Sequence, residues 1–162
     1  MSVKHIPVML AEAIKLLHVK KGGRYIDATF GGGGHSKVIS ELGGSVLALE
    51  WDPEAISNFK FQMPNVQLVQ GNFRDIEKII HENDFYPVNG VLFDLGISSI
   101  QLNEASRGFS FQEDAPLDMR INRDELGITA GDLVNGLRED QLYELFNQTS
   151  NSRTARAVSR AI

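Results

Sequence analysis

The segment best suited to chemistry is Asp27-Ala28-Thr29-Phe30-Gly31-Gly32-Gly33-Gly34-His35-Ser36. It lies between a short strand pattern and a helical one. Glycines at such a junction let the backbone approach a ligand closely, and the next helix offers free N–H groups to an anion. A dinucleotide fingerprint G-x-G-x-x-G beginning at Gly31 needs glycine at position 36, where Ser36 stands. The alternative is a plain glycine turn joining strand to helix.

The spacing D-x-x-x-G-x-G of Asp27, Gly31 and Gly33 fits the first motif of S-adenosylmethionine enzymes, whose ligand has one carboxylate and no pyrophosphate. Glu50 ends the next strand pattern, where a carboxylate can take both hydroxyls of a ribose. Read alone, it is equally a surface carboxylate, and nicotinamide enzymes use the same acid. Asp94 ends a fourth strand pattern, followed by Leu95-Gly96-Ile97-Ser98-Ser99. An acceptor there can orient an exocyclic amine toward a methyl donor, or simply cap the following loop. Gln70 and Asn72 offer amides to an adenine edge, although Asn72 also reads as a helix cap. Phe73 can stack on adenine or fill a helix core. Arg107 and Arg120 stand beside aromatics, which suits phosphate contacts and base stacking or, equally, a loop with paired arginines.

The elements that must position these residues alternate. Leu10, Ala13, Ile14 and Leu17 make an amphipathic helix, which Gly22-Gly23 is expected to end. Strands are expected over 24–29, 45–50, 66–70 and 88–94. Between them come helices marked by Val38, Ile39 and Leu42, by Asp52-Pro53, and by an Asn72 cap. Strands separated by single helices imply parallel pairing with right-handed crossovers, hence a doubly wound α/β sheet. After Asp94 the rhythm stops. Thr129 is read as the cap of a short helix, Leu142, Leu145 and Phe146 as the stripe of another, and Ser152 as the cap of a last one. That last helix carries Arg153, Arg156 and Arg160.

Composition removes other classes. The 162 residues contain no cysteine, which excludes disulfide scaffolds, thiolate zinc sites and cysteine nucleophiles. The four histidines form no H-x-x-x-H pair, so no metal is expected. No apolar stretch approaches the ~20 residues that span a bilayer, and Lys15 interrupts the only leader-like run. A cytoplasmic globular protein is the expectation. A net charge of −5 argues against a nucleic-acid coat while leaving room for local basic patches.

Several motifs together resemble the MraW/RsmH family: His5-Ile-Pro-Val-Met, the glycine loop, Asp52-Pro, Phe93-Asp-Leu-Gly-Ile-Ser-Ser-Ile-Gln-Leu102, Arg107-Gly-Phe-Ser-Phe111 and Pro116-Leu-Asp-Met-Arg120. That family comprises S-adenosylmethionine-dependent methyltransferases of a cytosine N4 amine in small-subunit (16S) ribosomal RNA. The resemblance implies a Rossmann-like class I methyltransferase sheet with an all-α inserted domain. It places S-adenosylmethionine on Gly33, Gly34, His35, Glu50, Phe73, Asp94 and Gln101. Asp94 is also the candidate catalytic residue, with Ser98 and Ser99 nearby. Glu50 stands where aspartate is common, and Gln148-Thr149-Ser150-Asn151 replaces a Gly-Glu-Glu stretch.

Family proteins are roughly twice as long. Residues 1–101 are therefore read as the first half of the methyltransferase domain, and 102–162 as the start of the insert. Four parallel strands in the order 3-2-1-4 are expected, with strand four as an open edge. The chain is read as truncated and catalytically silent alone, completed by a second copy or by a missing C-terminal segment. The partner implied is small-subunit ribosomal RNA, with no membrane. Two rival readings are a nicotinamide oxidoreductase half-domain and a non-catalytic cofactor-binding module.

Overall fold

The structure, a computed structural model, describes residues 7–60 and 62–162. His5 and Ile6 of the first motif lie outside the described residues. Contacts cluster the chain into two compact units, Met1–Gln101 and Leu102–Ile162.

In the first unit the order is α1 (Leu10–Leu17), β1 (Arg24–Asp27), α2 (Gly34–Glu41), β2 (Ser45–Glu50), α3 (Pro53–Asn58), β3 (Val66–Gln70), α4 (Ile76–Glu82) and β4 (Gly90–Leu92). Helix α5 (Ser99–Asn103) runs across the boundary between the units. The strands form one parallel sheet in the order β3-β2-β1-β4. Ile26 is level with Leu47 on one side and Val91 on the other, and Glu50 is level with Gln70. The carboxyl ends of all four strands therefore open on one side.

Strand β2 is central because four consecutive small or aliphatic residues, Val46 to Leu49, can be buried on both faces. Leu47 and Leu49 join Ile26, Ala28, Ile79 and Phe85 in a core beneath α4. Val46 and Ala48 join Tyr25, Phe30 and Ile39 on the other face, where Ile14 and Leu17 of α1 pack. Strand β4 is the exposed edge, and Val91 on it is 41% exposed.

Several boundaries differ from expectation. Helix α1 ends at Leu17, well before Gly22-Gly23, because His18 adopts a left-handed conformation and bonds back to the Lys15 carbonyl. Strand β1 stops at Asp27 rather than Thr29, since the Asp27 carboxylate takes the Thr29 N–H. Strand β4 is confined to Gly90–Leu92, which leaves Phe93 and Asp94 in the loop beyond it. Helix α2 closes as read: the Gly43 and Gly44 N–H groups bond to Ser40 and Ile39 carbonyls, with Gly43 at φ +85°.

The second unit holds α6 (Ala130–Gly136), α7 (Glu139–Asn147) and α8 (Ser152–Ala161). Thr129 caps α6 reciprocally with Asp132. Helix α8 is capped by Asn151, which accepts from the Thr154 N–H, and not by Ser152. Asn151 is one residue earlier, where its extended backbone lets the amide oxygen reach back over the first turn. Among the described residues, no helix is long and apolar enough to cross a membrane.

The two arginine motifs build this unit from inside. Arg107 is 1% exposed and donates to the carbonyls of Arg120 (3.2 Å) and Ile121 (2.6 Å). Gly108, at φ +70°, has no room for a Cβ, which would lie 2.3 Å from the Pro116 carbonyl oxygen. Arg120 grips Asp118 through two bonds of 2.9 Å and also reaches the Leu126 carbonyl. The paired-arginine alternative is thus the one this loop adopts. The Arg120 guanidinium holds the Asp118 carboxyl down at about 2, from an ordinary 3.8. A carboxyl depressed on folding contributes stability above its unfolded value, and that contribution is lost as pH falls through its folded value. Asp118→Asn is therefore expected to lower the melting temperature by several degrees at pH 7. The gap should shrink between pH 4 and pH 2 in thermal scans, and equal melting at pH 7 would remove the fork from the account.

Candidate functional site

The glycine loop is shaped by a buried carboxylate at its start. Asp27, 1% exposed, accepts from Ser36 Oγ at 2.7 Å and from the Thr29 N–H at 3.3 Å. Ser36 belongs to the first turn of α2, so this contact ties the end of β1 to the helix that follows the loop. Burial pushes the Asp27 carboxyl up, and the Ser36 and Thr29 bonds oppose it. Gly31 and Gly33 have φ of +52° and +74°. A Cβ on Gly33 would meet the Phe30 ring at 2.7 Å and Met63 at 2.8 Å. Gly34 is crowded by Pro7, whose Cγ would lie 2.1 Å from an added Cβ. The need for glycine there comes from the chain packed on α2.

Glu50 fastens the far side of the loop. One carboxylate oxygen accepts from the Gly31 N–H at 3.0 Å, the other from the Asp52 N–H at 2.9 Å. Burial raises the Glu50 carboxyl, and bonds from the backbone amides of Asp52, Gly31 and Trp51 counter that rise. Asp52 caps α3 through the Glu54 N–H at 3.0 Å. Its other oxygen receives the Gln101 amide at 2.9 Å. Gln101 also accepts from the Ser98 N–H, and Ser98 Oγ accepts from the Gln101 N–H. Gln101 is thus buried as a strut between the loop after β4 and the start of α3.

Asp94 stands on that same loop, its N–H bonded to Thr29 Oγ1 at 2.7 Å and its side chain 42% exposed. Its Oδ2 lies 4.0 Å from Nδ1 of His35. His35 is the second residue of α2 and is buried, and among the described residues its Nε2 has no hydrogen-bond partner. Phe73 follows β3, half-exposed, with its ring edge-on to Phe93 at 5.7 Å. Strands β3 and β4 are opposite edges of the sheet, so these rings meet across the ends of the two central strands. Asn72 is a cap, bonded to the Arg74 N–H at 3.0 Å, and Gln70 is exposed.

The structure thus gathers the glycine loop, His35, Glu50, Phe73 and Asp94 at the carboxyl ends of the strands, and turns Gln101 inward as a support. Three contributors were not singled out from the sequence. Thr29 anchors Asp94, Ser36 anchors Asp27, and Phe93 meets Phe73. A hydroxyl in the first turn of the helix that follows an acidic strand end was the available signal for Ser36. Nothing in the spacing marks Phe93. Among the described residues, no group of three or more His, Asp or Glu side chains converges.

Gly33→Ala is expected to destabilise the fold by about 1–3 kcal/mol, since the methyl overpacks against Phe30 at a left-handed φ. Gly22→Ala, at φ +77° with nothing within 4 Å, should cost less. Urea unfolding of both variants separates crowding from backbone strain.

This arrangement can be compared with known proteins. The ribosomal RNA small subunit methyltransferase H of Clostridium botulinum (strain Loch Maree / Type A3) is 42% identical over 168 residues, covering 100% of this chain and 54% of that protein. The protein of the same name from Dehalococcoides mccartyi (strain BAV1) is 43% identical over 165 residues, covering 98% and 47%. The chain spans about half the length of the curated relatives it matches. The model describing the MraW methylase family matches residues 2–162, and the chain belongs to that family.

Proposed function

We propose that this chain supplies the cofactor-binding half of an S-adenosylmethionine-dependent methyltransferase, acting on the N4 amine of a cytosine in small-subunit (16S) ribosomal RNA. The observation that carries the reading is the Glu50 bridge. A carboxylate at the end of β2 is held in place by the backbone amides of Gly31 and Asp52, beside a glycine loop in left-handed conformation. The residues fit the donor: Glu50 for the ribose hydroxyls, Phe73 for the adenine face, and the loop with His35 for the amino-acid end. Gln101 contributes by fixing the loop that carries Asp94.

The bound donor supplies a methyl group activated by a sulfonium. Asp94 accepts a hydrogen bond from the exocyclic amine and aims its lone pair. As the N–C bond formed and the sulfur–methyl bond broke, with the donor leaving as a neutral thioether, the amine proton would pass to the Asp94 carboxylate, which opens to solvent. The Thr29 hydroxyl holds the Asp94 backbone at this point. A substrate in the small ribosomal subunit is consistent with a cytoplasmic protein. The nicotinamide reading is disfavoured by Ser36. It occupies the third-glycine position and is fully buried against Asp27, where the fingerprint uses glycine for close helix–strand packing.

Calorimetric titration is expected to show binding of S-adenosylhomocysteine and none of NAD, and the reverse pattern would reject the proposal. Glu50→Gln replaces one acceptor oxygen with a donor. It should weaken S-adenosylhomocysteine binding by about 1–3 kcal/mol, the scale of a charge-assisted hydrogen bond. An unchanged affinity takes Glu50 out of the site. In a chain carrying the remaining length of the relatives, Asp94→Ala should lower turnover on undermethylated small subunits more than it lowers cofactor affinity. Equal losses would make Asp94 a binding residue only.

A further inference from the structure

In a chain of net charge −5, no acidic residue follows Glu144, while Arg153, Arg156 and Arg160 all lie on α8. Their spacing of i, i+3 and i+7 brings them onto one stripe, roughly 10 Å from first to last. Beside the packing contact, where Ala155 and Ser159 are buried, all three are exposed. Arg156 and Arg160, with Arg138 and Tyr143 of the neighbouring segment, line an open groove of about 450 Å³.

The groups facing the stripe decide what it can hold. Arg156 lies over the Tyr143 ring at 5.5 Å, which steadies the guanidinium. Arg160 pairs with Glu139 at 3.3 Å and Arg138 with Asp140 at 2.8 Å, both pairs exposed. Exposed pairs of this kind are weak and yield readily to a stronger anion. Glu144 is the remaining acid of α7 and is exposed. Arg107 and Arg120, by contrast, are committed to carbonyls and to Asp118.

We infer that the arginine stripe of α8, with Tyr143, is a phosphate-backbone contact surface for single-stranded RNA. The inference rests on the RNA reading above and names the surface of the second unit that would serve it. Arg156 and Arg153 meet phosphates directly. Arg160 does so on exchanging Glu139 for a phosphate, while the stacked Arg156–Tyr143 pair gives an adjoining base a flat platform.

The test is fluorescence anisotropy of the 162-residue chain with a short fluorescein-labelled single-stranded RNA of mixed sequence, between about 50 and 200 mM KCl. Three phosphate contacts predict that the logarithm of the association constant falls with log salt at a slope of about −2. The combined variant Arg153→Gln, Arg156→Gln, Arg160→Gln should bind roughly tenfold or more weakly and lose most of that slope, with an unchanged far-ultraviolet spectrum. Glu139→Gln releases Arg160 and should tighten binding. Wild-type affinity in the triple variant overturns the inference. So does weaker or unchanged binding by Glu139→Gln, or poly-L-glutamate competing as well as RNA. Failure of S-adenosylhomocysteine to bind while these RNA results hold would count against the cofactor reading alone.

Discussion

A single carboxylate joins the pieces of the first unit that a ligand would have to touch together. Glu50 accepts from Gly31 in the loop after β1 and from Asp52 at the start of α3. Asp52 in turn receives Gln101, which receives Ser98 from the loop after β4. The loops after β1, β2 and β4 are therefore held in one hydrogen-bonded chain with Glu50 as its hinge pin. Polar groups drawn out of water have to be paired, so with Glu50 half-buried the positions of its neighbours are tightly limited. The exposed face of the site is built outward from that constraint.

The second polar anchor works against its own charge. Asp27 is almost wholly enclosed, and burial disfavours its ionised form. What offsets this is Ser36 and Thr29, both local in sequence. The result is a loop fixed at both ends, at Asp27 inside the sheet and at Glu50 along its rim. Glycine supplies the backbone freedom that lets so short a segment meet both. His35 is a different case: its Nδ1 lies beside Asp94, and its buried Nε2 has no hydrogen-bond partner among the described residues.

Arginine plays opposite parts in the second unit. Arg107 and Arg120 serve as interior connectors, their guanidiniums spent on backbone carbonyls and a carboxylate fork. The α8 arginines lie on a surface whose buried side is made of Ala155 and Ser159. Composition counts these residues alike. Only burial separates the planar fork used as mortar from the one left facing water.

By itself the sequence determined the order of strands and helices along the chain, because periodicity, caps and glycine stops are local, and parallel pairing, because single-helix crossovers require it; the order β3-β2-β1-β4 was expected from the family resemblance. It also marked Asp27, Gly31, Gly33, Glu50 and Asp94, each standing at or just beyond a strand end where ligands gather. What it left open depended on residues far apart along the chain. Gln101 became a strut on Asp52, Thr29 a tether for Asp94, and Phe93 a partner for Phe73 only once the sheet brought their loops together. The arginine loop was likewise decided by packing, as was the short span of β4. Such contacts have no periodic signature: they are pairings of single side chains, fixed by burial and hydrogen-bond geometry in three dimensions.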